Sequence, residues 1–123
     1  MIFYFNKQSI FSSYFSNKFV IINLIIAIFL NAVLWLWLGG QAKGFAKIIP
    51  LHYNIYFGID LIGNWYQIFF LPALGLCLGI INSFFGWAMF SREKLISFFL
   101  VGSSSFMQLI LLLAAVTIII INQ

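Results

Sequence analysis

His52, Asn54 and Asp60, with Tyr53 and Tyr56 between them, are the side chains best suited to chemistry in this chain. All five fall in one short string, IIPLHYNIYFGIDLIGNW, over residues 48–65. An imidazole near a carboxylate is the start of an acid–base pair or of a metal site. A zinc centre takes three or four protein ligands, however, and covalent catalysis asks for a nucleophile beside its base. The chain has one His, one Cys and two acidic residues, and Cys77 and Glu93 both lie well outside the string. Gly39-Gly40 and Gly58 lack the spacing of a P-loop or a dinucleotide site. No enzyme and no cofactor or metal is therefore expected. Three readings of the trio stand. His52 bonds across a hairpin whose turn ends are set by Asn54 and Asp60; or the loop is a binding surface on a rigid base; or the residues catalyse or ligate.

A second polar set lies inside apolar sequence: Asn23, Asn31, Asn82, the serines around Ser104, and Gln108. Helices in lipid gain nothing from burying apolar faces against each other, so close packing and hydrogen bonds hold them together. Asn23, Ala27 and Asn31 recur every four residues, on one helix face; so do Gly75, Gly79 and Ser83, a small-residue stripe that admits another helix, of this chain or of a second copy. At about 1.5 Å per residue, Asn31 and Gln108 share a mid-membrane depth and are expected to meet. Asn82 lies level with residues 103–105 and is expected to meet those serines or Asn23. The alternative is that these groups line a path for a proton or small solute. Proton relays normally need an ionisable group in mid-span, and the chain has none there.

The elements that must position both sets follow from charge. Residues 19–42, 61–91 and 95–123 contain no Asp, Glu, Lys, Arg or His. One crossing takes roughly 20 apolar residues, so each stretch holds one span. Hydrophobic residues are 64% and charged residues 7%, a balance no water-soluble fold of this size hides. The expected fold is all-α: a single integral membrane domain over residues 1–123 with spans near 19–39, 65–90 and 95–121. Between the first two, Pro50 and Gly58 punctuate a short hairpin near 48–62. The run from Phe19 is long for the apolar region of a cleaved signal peptide and is read as a retained span. Trp35, Trp37, Trp65 and Tyr66 would mark one membrane interface and Trp87 the other. Cys77 is expected to face lipid or to be packed.

The net charge of +4 comes from six basic residues on the flanks of the spans, so it signals topology and not nucleic acid. Lys7, Lys18, Arg92 and Lys94 fall on one side, and Lys43 and Lys47 on the other. The excess places the N terminus and the 91–94 turn in the cytoplasm, with the hairpin and the C terminus extracytoplasmic. Residues 1–18 carry Phe3, Lys7, Phe11, Tyr14 and Lys18 at helical intervals. They form either a cytoplasmic interfacial helix, rings down and lysines snorkelling, or a flexible segment. The partners expected are the lipid bilayer and either a homo-oligomer or a membrane partner subunit.

Pro-Leu-His-Tyr-Asn at residues 50–54, Phe-Gly-Ile-Asp at 57–60 and Gly-Asn-Trp at 63–65 resemble the loop of a bacterial membrane domain of unknown function. That domain also forms the N-terminal part of SdpI-type immunity proteins, which protect cells from a secreted toxin. The resemblance covers about residues 48–76, although Ile59 stands where the family usually has Pro. It implies a small inner-membrane protein with an accessory or immunity-type role, for which Pro50, His52, Asn54, Gly58 and Asp60 are the positions of interest. A homo-oligomeric transporter or channel-like protein for small solutes is the alternative.

Overall fold

The computed structural model describes residues 7–123. Phe3 of the N-terminal periodic face lies outside the described residues. A short helix α1 (Lys7–Ser16) leads at Asn17 into the first span, α2 (Lys18–Gln41). Asn17 separates the two because its Oδ1 accepts from the amides of Phe19 and Val20, at 3.0 and 3.3 Å, which satisfies two of the free donors that open a helix. After a 3-10 turn (Ala42–Gly44), strands β1 (Ile48–Asn54) and β2 (Gly58–Asn64) form an antiparallel hairpin. A second 3-10 turn (Trp65–Phe69) runs straight into α3 (Phe70–Met89), and α4 (Lys94–Ile121) closes the chain. Pro72 lies at the third residue of α3, just past the junction with the 3-10 turn, and its carbonyl is taken up by Asn31.

Three helical segments, Lys18–Gly44, Trp65–Met89 and Lys94–Ile121, are long and apolar enough to cross a membrane. This is the architecture of a multi-pass membrane protein, and the hairpin sits between the first two crossings as the charge pattern implied. Within it α4 is the spine. It packs along both α2 and α3, whereas α2 and α3 meet each other over a much shorter stretch.

Two apolar clusters close the bundle, one at each end. At the hairpin end Ile49, 1% exposed, enters a cluster with Leu34, Leu38, Ile68, Ala115, Ile118 and Ile119. At the other end Tyr14, Val20, Phe90 and Val101 form a second cluster beside the 91–94 turn. The fully buried Tyr14 of α1 packs edge-on against Phe90, with ring centroids 5.4 Å apart, and its hydroxyl donates to the Ser83 carbonyl at 3.1 Å. Over residues 7–16 the N-terminal segment is therefore a docked helix. Of the rings expected to point into the headgroups, Phe11 is exposed but Tyr14 is turned into the bundle. Burial pushes the Tyr14 phenol from 10.0 up to about 12, so it remains a donor at ordinary pH.

Candidate functional site

The hairpin is built on a fixed base. The Trp65 amide donates to the Lys47 carbonyl at 3.2 Å, and the Asn122 side chain, from the end of α4, donates to the Pro50 carbonyl at 2.9 Å. The Asn64 amide donates to Gln67 Oε1 at 2.8 Å, which ties β2 to the turn that follows it. At the far end, Asn54 Oδ1 accepts from the Tyr56 amide at 2.8 Å. This is the local bond by which Asn initiates turns. Gly58 closes the turn at φ +74°, a left-handed conformation that costs glycine nothing.

Strand pairing runs Pro50 with Ile62, His52 with Leu61 and Tyr53 with Ile59. The register shifts beside His52 leave Leu51 and Asp60 without an opposite partner. They also bring His52 Nδ1 to 2.6 Å from Asp60 Oδ1. This contact is the one pairing of a basic side chain with a carboxylate found among the described residues, with the two side chains 60% and 37% exposed. His52 thus does bond across the hairpin. Asp60 is its partner and does not set the turn end, a role left to Asn54 and Gly58. Among the described residues, no three His, Cys, Asp or Glu side chains converge as metal ligands would.

The turn itself is the most exposed apolar surface of the hairpin. Ile55, Tyr56 and Phe57 are 81%, 86% and 83% exposed, and Tyr53, Ile59, Leu61 and Ile62 are also open. Between the hairpin and the start of α3 lies an apolar groove of about 670 Å³, bounded by Leu61 and Ile62 on one side and Trp35, Phe69, Phe70 and Ala73 on the other.

The intramembrane polar set is arranged differently. Asn31, 5% exposed, donates from Nδ2 to the Pro72 carbonyl at 2.9 Å and to Gln108 Oε1 at 3.2 Å. Gln108 in turn donates from Nε2 to the Gly75 carbonyl at 2.8 Å. The pairing expected from their depth is present, and it also ties α3 to the other two spans. Asn82 Nδ2 donates to Ser103 Oγ at 3.2 Å, while Ser105 Oγ donates to the Asn23 carbonyl at 2.8 Å. Ser104 is not an interhelical partner, because its hydroxyl bonds back to Leu100 O within α4. Helical phase gives the reason. Residues 103 and 105 point about 200° apart on a 3.6-residue helix, one toward α3 and one toward α2, and Ser104 falls between.

The stripe Gly75, Gly79, Ser83 receives side chains where a helix backbone was expected. A Cβ at Gly75 would lie 2.7 Å from Gln108 Oε1, 2.8 Å from Leu111 Cδ1 and 3.0 Å from Asn31 Nδ2. At Gly79 the nearest atom is Gln108 Nε2 at 3.9 Å. Beyond it α2 and α3 diverge around a second apolar groove, about 300 Å³, which also reaches Ala27 and Ser83. Cys77 is exposed on the lipid side of α3.

Three residues that sequence reasoning passed over prove structural. Ser97 donates to the Gly86 carbonyl at 2.6 Å and locks α4 to α3 beside their turn. Gly86 leaves the notch that takes Tyr14, whose hydroxyl would stand 2.9 Å from a Cβ there. Asn122 pins the hairpin base. A serine and a glycine on either side of a tight turn are the available signal for the first two; for Asn122, at the end of a span, there is none.

Fold and site together define a small three-span membrane protein whose hairpin cap displays the His52–Asp60 pair and an apolar tip. No protein-family model matches the chain, and no curated protein or solved structure is similar to it.

Proposed function

We propose that this chain is a non-enzymatic accessory or immunity-type protein of the bacterial inner membrane, with the hairpin as its contact surface. The observation that carries the reading is the tip. Ile55, Tyr56 and Phe57 are each more than 80% exposed, on a hairpin whose base is bonded to α4 through Asn122 and packed against α2 through Ile49. Apolar and aromatic side chains held out on a rigid support are the usual anchors of protein contacts. The resemblance of residues 48–76 to the loop of the SdpI-type domain supports the same role. The excess of Lys7, Lys18, Arg92 and Lys94 over Lys43 and Lys47 supports a cytoplasmic N terminus and an extracytoplasmic hairpin. The transport alternative has no comparable support, since Asn31 and Gln108 are bonded to one another and to backbone carbonyls.

The test is a photo-crosslinking side chain at Phe57 in native membranes, compared with one at Ile110, which is also exposed but lies in mid-span. A protein captured at Phe57, not at Ile110, and lost on Tyr56→Ser is the expected result. Identical products at both positions, or lipid alone at Phe57, would overturn the reading. Orientation has its own test in a Cys77→Ser background. A cysteine at Lys43 should react with an impermeant thiol reagent from outside the cell, and one at Lys94 should not.

A further inference from the structure

The groove beneath the hairpin lies at the depth of the spans and not above them. Trp35 belongs to α2, Phe70 and Ala73 belong to α3, and Leu61 and Ile62 of β2 reach down to them. Phe69 stacks on Trp35 at 5.8 Å with the planes 17° apart, and so forms a flat apolar floor. Residues 65–73 and Trp35 belong to segments apolar enough to cross a membrane, so an acyl chain is the apolar group at hand to fill a groove of about 670 Å³. A transmembrane partner helix, about 10–12 Å across with its side chains, would need a continuous face, whereas this groove is roofed by the hairpin.

The rim carries charge. Lys43 and Lys47 are exposed at this end of the bundle. The one acid between Lys18 and Arg92 is Asp60, bonded to His52 on the hairpin, so this end of the bundle carries two lysines against one carboxylate. The Lys47 carbonyl holds the Trp65 amide, and the Trp65 ring lies 6.0 Å from Tyr66 and 6.4 Å from Phe69, both of which line the groove. Tyr66 accepts from Asn64 Nδ2 at 3.1 Å, which leaves the phenol proton to donate. An excess of lysine at the end of the bundle where a phenol and an apolar slot open matches a phosphate, an ester and an acyl chain.

We propose that the groove between the hairpin and the start of α3 is a site for one anionic phospholipid of the leaflet on that side. The headgroup sits at Lys43 and Lys47, and an acyl chain lies between Leu61, Ile62 and Phe70. The site is independent of what the hairpin tip touches. It requires only that the leaflet contain acidic lipid, and the same arrangement selects against zwitterionic lipid, whose own ammonium group would meet the two lysines.

The experiment reconstitutes the full chain in phosphatidylcholine vesicles with a minor fraction of brominated phosphatidylglycerol or, in parallel, brominated phosphatidylcholine. In a Trp37→Phe, Trp87→Phe background, which leaves only Trp35 and Trp65, quenching of tryptophan emission reports occupancy beside those two. Lysines near an anionic headgroup favour it by a few-fold each, so the two together should give phosphatidylglycerol a preference of roughly tenfold over phosphatidylcholine. Lys43→Gln with Lys47→Gln, both at exposed positions, should abolish the preference while leaving the fold intact. Ala73→Phe, which fills the slot, should abolish it with both lysines present. Equal quenching by the two lipids in the native chain overturns the proposal. So does a preference that survives the lysine substitutions. A preference that survives Ala73→Phe, in protein shown by circular dichroism to be folded, reduces the site to a headgroup attraction and overturns the groove.

Discussion

The mid-membrane layer and the hairpin invert each other. In the bundle the polar side chains are turned inward and used up: Asn31 and Gln108 are nearly buried and bond to each other and to the carbonyls of Pro72 and Gly75. On the hairpin the apolar side chains are turned outward, with Ile55, Tyr56 and Phe57 almost fully exposed. Polar groups in lipid have little choice, because an unpaired one is costly in hydrocarbon, so their presence there is explained by assembly alone. Apolar groups on a projecting turn gain nothing for the fold. The difference separates residues that build the protein from residues left over for an encounter.

Substitutions can break this contrast, and the largest effect is expected in the bundle. Gly75→Leu would drive a side chain into Gln108, Leu111 and Asn31 and should destabilise by about 3 kcal/mol or more. Gly79→Ala, with open space around it, should change stability by less than about 1 kcal/mol. Denaturant unfolding of the detergent-solubilised protein, followed by circular dichroism, measures both. A similar loss at the two glycines would show that the stripe packs against something other than Gln108.

Gln108→Leu should cost about 1–2 kcal/mol in the same assay, and a double-mutant cycle with Asn31→Leu should return a coupling near 0.6 kcal/mol, the usual size in membranes. A coupling of zero would mean that the pair contributes nothing as a pair.

At the other end of the bundle, Tyr14→Phe removes one hydrogen bond to Ser83 and should cost about 1 kcal/mol. It also gives a pH signature. An undocked phenol ionises from 10.0 and the docked one from about 12, so ionisation favours the undocked state between those values. The protonated phenol's contribution to docking of α1 is therefore full below pH 10 and is lost as pH rises toward 12. Limited proteolysis of residues 7–17 should follow that loss in the native chain and not in Tyr14→Phe.

The smallest effect is expected on the hairpin. His52→Ala or Asp60→Ala breaks an exposed pair and should shift stability by no more than about 1 kcal/mol. If either unfolds the protein, the pair is a structural strut and the contrast with the bundle fails on that strand.

What was legible in the sequence followed from terms that act along the chain. Lysines and arginines interrupt hydrocarbon wherever they occur, so the spans could be read from their absence. Pro50 and Gly58 restrict the backbone locally, which located the hairpin, and helix rise alone brought Asn31 level with Gln108. Terms that depend on a neighbour were not legible. Tyr14 looks like an interfacial ring until Gly86, 72 residues away in sequence, is seen to leave it a notch. Asp60 looks like a turn residue until the register shift carries it to His52. Ser103, Ser104 and Ser105 are equivalent in sequence because depth is one-dimensional, and azimuth is known only once α4 stands between two partners. The exposed tip, 55–57, drew only Tyr56 into the candidate set, because exposure of an apolar residue has no signature in a chain that is apolar throughout.

The order of α2 before α4 in the chain has a consequence for biogenesis. Asn31 is synthesised 77 residues before Gln108, and Asn23 82 residues before Ser105. The α3–α4 pair, joined by a tight turn and latched by Ser97, forms from local contacts, whereas α2 depends on a helix made two spans later. A ribosome that stalls before Gln108 leaves α2 in the bilayer without its amide partner on α4. A bundle still lacking α4 thus differs from the assembled one by an α2 amide that has the Pro72 carbonyl but not Gln108.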